Sequence, residues 1–219
     1  IDPDNQLLWR MNRRRLEAEE IRDVVLQTSG ELNEEAGGPG VRLPLHPEIA
    51  RLQYKGTWQP DPNDTQHYRR SIYTFWKRTV PSPMLKTFDA PEREFCTTRR
   101  SRTNTPLQAL ALLNGPQFVE AARRLAERML SEGGQTLNER ITYGFRLVTA
   151  RVPLQSELTL LRSSYTENLK LFETNQSTAH KLLKVGDSPY NTRLNISKLA
   201  AMTSVARLLL NLNETVTKG

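Results

Sequence analysis

At 219 residues and a formal net charge of +7, with 37% apolar and 25% charged side chains, the chain can bury one sizeable core or two small ones. No run approaches the roughly 18 apolar residues of a membrane-spanning helix, and no basic-then-apolar leader opens the sequence. The one cysteine, Cys96, excludes an internal disulfide, a cysteine-built metal site and a haem-attachment motif. The chain starts at Ile1 without Met, so it reads as part of a longer polypeptide and the missing leader says nothing about location.

Asp2–Arg10 is an approach segment with Trp9 as its anchor. A helix is predicted over about Asn12–Thr28, where Leu16, Glu20, Ile21, Val24, Val25 and Thr28 recur every three or four residues. Arg13, Arg14 and Arg15 face Glu17, Glu19 and Asp23 as surface pairs, Arg15 with Glu19 for example, and Ser29-Gly30 closes the helix. Residues 31–68 form a proline- and glycine-rich arm. Gly37-Gly38-Pro39-Gly40 is a turn, Pro44, Pro47, Pro60 and Pro62 forbid a long helix, and Val41, Tyr54 and Trp58 can pin the arm down. Two short strands fit near 41–43 and 54–58. His46 and His67 lie here with Glu48, Asp61 and Asp64, but without the i,i+4 spacing of a histidine pair, so no metal site is assigned.

Residues 69–104 form a basic central block, with nine basic and three acidic residues between Arg69 and Arg102. Arg69–Lys77 reads as a short helix or strand. On a helix Ile72, Phe75 and Trp76 share one face, which makes these aromatics core and argues against a nucleic-acid surface despite the nearby Tyr68 and Tyr73. Met84–Phe88 is one helical turn, and Asp89 fits the cap of another beginning at Pro91. At Thr105-Pro106 a helix starts: Thr105 is the N-cap, Pro106 takes the first helical position, and Gln108 can complete a capping box. Gly115-Pro116 stops it. The candidate binding residues are Arg69, Arg70, Arg93, Arg99, Arg100, Arg102 and Asn104, the last four just ahead of a helix N-terminus that attracts anions. The preferred alternative is an internal network in which Asp89, Glu92 and Glu94 neutralise the arginines. Cys96 reads as a small buried hydrophobe, against the alternative of a nucleophile activated by arginines.

The remaining 105–219 is helical. Phe118, Ala121, Ala122, Leu125, Met129 and Leu130 form a stripe ended by Gly133-Gly134. Thr136 and Glu139 form a capping box opening a helix with Ile141, Phe145 and Val148; after Pro153, Leu158, Leu161, Tyr165, Leu169 and Phe172 continue the spacing. These two helices read as a hairpin. Residues 175–188 read as a polar surface loop. A last helix over about Leu194–Leu212 points Leu199, Met202, Val205, Leu208, Leu209 and Leu212 inward and returns to the common core. The fold class is mainly α: a single multi-helix domain with a long Pro/Gly-rich arm.

No phosphate-binding glycine loop, nucleophile elbow or hydrolytic triad pattern is present. Asp89, Glu92 and Glu94 could supply a carboxylate pair, but arginines so close would depress their pKa values, which suits ion pairing.

The stretch FDAPEREFCTTRRSRTNTPLQALALLN, Phe88–Asn114, closely resembles the signature of the planctomycete PSD domain, a domain of unknown function. MNRRRLEAEEIRD, RRSIYTFWKRTVPSPM and SVARLLLNLNE look like further blocks of it in the right order. Gly115 departs from the family pattern, where an acidic residue usually precedes the proline. The resemblance implies the C-terminal part of a large exported protein of the cell envelope, often with a cytochrome-c-like domain upstream. It brings no catalytic residues and no cofactor for this stretch; haem would sit in upstream domains. The expected function is a non-catalytic structural or interaction module that packs on upstream domains or a partner protein. The alternatives are part of an enzyme acting on an acidic, sulfated or carboxylated, polysaccharide, and a partner domain of a c-type cytochrome in electron transfer.

Overall fold

A computed structural model describes residues 2–45, 47–51, 58–62, 64–77 and 81–218. The chain is mainly α-helical. Its elements are β1 (Arg14–Arg15), α1 (Ala18–Ser29), α2 (Pro47–Arg51), α3 (Pro83–Thr87), α4 (Pro106–Asn114), α5 (Pro116–Glu132), α6 (Leu137–Thr149), α7 (Gln155–Thr174), α8 (Gln176–Leu183), α9 (Ile196–Leu210) and β2 (Thr217–Lys218). No helix among the described residues is long and apolar enough to cross a membrane.

The core is built around α9, which packs most extensively on α5 and α7. Ala200, Ala201 and Ala206 are fully buried on α9, and such small side chains let neighbouring helices approach closely. Leu199, Met202, Val205, Leu209 and Leu210 fill the space between helices, and Leu125, Ala126 and Met129 meet them from α5. One continuous apolar cluster runs from Leu16 to Val216, so the terminal helix does return to the common core. The α6–α7 hairpin forms as its spacing predicts, opened by a complete box: Thr136 Oγ1 accepts from Glu139 N at 3.2 Å and Glu139 accepts from Thr136 N at 2.8 Å. Gly144 on α6 faces Met129 so closely that an added Cβ would lie 2.5 Å from its sulfur.

Several elements differ from expectation. The first helix starts at Ala18 instead of Asn12, because Arg14–Arg15 are drawn into an antiparallel pair with Thr217–Lys218 and Leu16 N donates to Val216 O at 2.9 Å. Glu20 then accepts from Glu17 N at 2.9 Å, so the helix opens on an acid. Arg14 pairs with Glu20 and Arg15 reaches Gln108, in place of the local pairs drawn from spacing. Residues 71–73 are a single 3₁₀ turn and Phe75 N donates to Val41 O at 2.7 Å, so no helical face exists there. Ile72 is therefore 80% exposed and Phe75 40%, and only Trp76 packs on the core.

The arm lies alongside this segment through isolated parallel bridges, Asn33 to Arg69 and Val41 to Thr74. The strand expected near 54–58, with Tyr54, falls largely outside the described residues, as does His46. Residues 176–183, expected as loop, form α8, capped by Asn175 accepting from Thr178 N at 3.2 Å and pinned by buried Ala179 and Leu183. Leu208, expected inward, is 41% exposed, and Trp9, expected to anchor the approach segment, is 66% exposed.

Candidate functional site

The helix α3 ends at Phe88, and Asp89 reverses the chain in the left-handed region at φ +63°. Asp89 does not cap a turn at Pro91. Its carboxylate accepts from the backbone N of Thr103 at 2.7 Å and from the Thr103 hydroxyl at 2.8 Å. That clasp joins residues fourteen apart and makes 90–102 a loop with closed ends. Gln108 secures the base. It does not return to Thr105 as a capping box; its amide donates to Thr87 O and Thr103 Oγ1, both at 3.0 Å, while Thr105 Oγ1 alone caps α4.

The loop is held to the body by charge. Arg100 donates to Glu17 and Glu19 at 2.8 Å each, and Arg102 to Glu17 at 3.1 Å, so the N-terminus of α1 is the acidic dock. Partial burial opposes the charged form of Arg100, but Glu19 and Glu17 hold its pKa above the ordinary arginine value. Arg93, at φ +61°, lies 4.9 Å over the Trp76 ring, and Lys86 pairs with Glu92. The network expected between the arginines and Asp89, Glu92 and Glu94 is therefore not the one that forms. The neutralising acids lie more than eighty residues earlier, on and just before α1. Glu94 is exposed and acts on Lys86 only through its field.

Beyond these anchors the loop faces water. Phe95 is 83% exposed, and Cys96, expected to be buried, is exposed too. Arg99 is exposed and has no hydrogen-bond or ion-pair partner among the described residues, and Asn104 is exposed at the loop's end. Thr97, Thr98, Ser101, Arg99, Arg100, Arg102 and Glu17 line an open depression of about 710 Å³. Three hydroxyls and three guanidinium groups around one carboxylate make a surface rich in donors, suited to oxyanions.

Arg69 and Arg70 lie apart from this loop. Arg69 is buried to 3% exposure, stacks at 3.8 Å on the Tyr73 ring and donates to the carbonyls of Glu35, Gly37 and Pro39. Its charge is spent on holding the glycine turn of the arm. Arg70 stands 3.8 Å from Asp23, whose carboxylate also takes the Ser71 N at 2.7 Å.

A second polar centre escaped the sequence. Arg123 on α5 is 1% exposed and donates to the carbonyls of Leu183, Val185 and Ser188 and to the Ser188 hydroxyl, at 2.6–2.9 Å. Beside it Glu120 accepts from Asp187 N, Ser188 N and the Tyr68 hydroxyl, and Glu127 from Asn191 N. Burial and the Glu120 hydrogen bond push the Tyr68 pKa well above the ordinary tyrosine range. Glu31 closes the group 3.5 Å from Arg124; burial, then the charge of Glu120, raise it to about 7, against the pull of Arg124. Perturbed carboxylates often mark active sites. Here Arg123, Glu120 and Glu127 all bond backbone groups of residues 183–191, so the cluster holds that segment in place.

Fold and loop together define a mainly α-helical domain with one projecting, donor-rich cationic loop anchored to its first helix. Residues 1–165 match the family model described as PSD1, a protein of unknown function (DUF1553), and the chain belongs to that family. The match covers the loop and its dock and ends within α7, so the SVARLLLNLNE block, which begins on α9 and runs past its end, lies beyond it. No curated protein and no solved structure matches the chain.

Proposed function

We propose that this domain is a non-catalytic interaction module of a larger exported protein, and that loop 90–102 is where it meets an acidic partner. The observation that carries this is the division of labour among three neighbouring arginines. Arg100 and Arg102 are used to fix the loop on Glu17 and Glu19, while Arg99 stands free of partners among the described residues at the rim of the depression. A fixed loop with an unspent guanidinium can bind a carboxylate without first ordering itself, which lowers the entropic cost of association. The exposed Phe95 of the same loop supplies apolar contact.

The test is titration with polyglutamate at graded salt concentrations. Binding should weaken as salt rises and fall about tenfold in Arg99→Ala, with unfolding unchanged. Equal binding by parent and variant would sink the proposal.

A second reading has the same depression completing an enzyme that acts on sulfated or carboxylated polysaccharide. It draws support from Glu17, the only carboxylate among the described residues that line the depression. Chondroitin sulfate in place of polyglutamate, with product analysis, separates the two: tight binding without chain shortening favours a module, and Glu17-dependent shortening favours the enzyme. Secretion of the full polypeptide, followed by fractionation, tests the expected cell-envelope location.

A further inference from the structure

The segment before β1 is folded on itself around two side chains. The Asp2 carboxylate accepts from Gln6 N at 3.1 Å and Leu7 N at 2.8 Å, and its carbonyl accepts from the Trp9 indole N–H at 3.0 Å. Asn5, 3% exposed, accepts from Arg10 N and donates to Arg10 O and to Asn12 Oδ1. Leu8 N donates to Asn5 O, and Leu8 itself sits at φ +52°. This turn is built, yet it points its apolar side chains outward. Leu7 is 81% exposed, Leu8 77%, Trp9 66% and Met11 58%.

Two features narrow the occupant. The amide hydrogens of residues 5–8 and 10 and the indole hydrogen are already bonded inside the turn, so entering a non-aqueous phase leaves these donors paired. The charges that follow the apolar residues are cationic: Arg10 lies 5.6 Å over the Trp9 ring, and Arg13 is exposed two residues past Met11; of the two acids ahead of them, Asp2 is engaged by the turn's own amides and Asp4 is exposed. Exposed leucines and a tryptophan with arginines next to them fit a bilayer surface, where apolar groups sit below anionic headgroups and basic groups at their level. We propose that Leu7–Met11 is an interfacial docking turn for a membrane carrying anionic lipids. It lies on the surface and does not span it. This surface is separate from the 90–102 loop and stands on its own observations.

The probe is vesicles of phosphatidylcholine alone and of phosphatidylcholine with phosphatidylglycerol, added to the whole chain and read by co-sedimentation and tryptophan emission. The anionic vesicles should bind the chain and shift its emission to shorter wavelength, more weakly as salt rises. The double variant Leu7→Gln, Leu8→Asn keeps every backbone bond of the turn and tolerates the left-handed position; it should lose at least tenfold in partitioning. Trp9→Phe should still bind but lose the spectral shift, since Trp58 and Trp76 stay in place. No sedimentation with either vesicle, equal binding to both, unchanged binding by the double variant, or a shift that persists in Trp9→Phe would overturn the proposal. The first of these outcomes would make the turn a protein contact instead.

Discussion

Two regions of this molecule use the same residue types for opposite ends. On α5, Arg123, Glu120 and Glu127 are buried and bind backbone groups of residues 183–191. In the 90–102 loop, Arg100 and Arg102 are about 35% and 41% exposed at the side chain and bind two carboxylates of another element, and Arg99 binds nothing described. A charge that serves backbone carbonyls in the interior cannot be released without leaving them unsatisfied. A charge shared with a surface carboxylate can be exchanged for another anion at little cost. The first arrangement fixes a shape, and the second leaves a surface open to recognition.

The largest effect should come from breaking the interior set. Arg123→Ala leaves three carbonyls and the Ser188 hydroxyl without their donor and removes the cation 3.6 Å from Glu120, and unfolding in denaturant should show a loss of roughly 3–5 kcal/mol. Glu31→Gln should move stability the other way, and by pH. The Glu31 pKa of about 7 in the folded chain lies above its ordinary 4.5, so the folded state holds the proton more tightly. Its contribution is full below about pH 4.5 and is lost as pH rises through 7. Thermal unfolding from pH 4 to 8 should fall for the parent and flatten for the variant, which gains on the order of 3 kcal/mol at pH 8. Gly144→Ala drives a methyl into Met129 and should cost about 1–3 kcal/mol, read from the same denaturant curves. Glu17→Gln should be the mildest globally, about 1 kcal/mol or less, but it frees Arg102 and half of Arg100. Limited proteolysis should then cut within 90–102 several times faster. If Arg123→Ala and Glu17→Gln lowered stability equally, the contrast between the two regions would fail.

What the sequence made legible follows from the range of each interaction. Caps and stops act within four residues, so Thr105-Pro106, Thr136 with Glu139 and Gly133-Gly134 placed α4, α5 and α6 correctly. The eight-residue α8 was missed because Ala179 and Leu183 alone give too little periodicity, although Asn175 offered a cap. The start of α1 was misplaced because its competitor, the pairing of Arg14–Arg15 with Thr217–Lys218, comes from the far end of the chain. The block 88–114 was singled out for its arginines, but their partners were sought among Asp89, Glu92 and Glu94 because these are near in sequence. Glu17 and Glu19 could not be connected to Arg100 before the fold brought α1 beside the loop. The Arg123 set was the least visible, since its acceptors are carbonyls, which every residue carries.

Hydrogen–deuterium exchange across the chain, with and without polyglutamate, tests this account most directly. Amides of α5, α9 and residues 185–191 should exchange only through global unfolding, those of 94–99 within seconds, and polyglutamate should slow exchange over 97–102 alone. Strong protection of 94–99 in the free chain, or no change over 97–102 with polyglutamate, would contradict it.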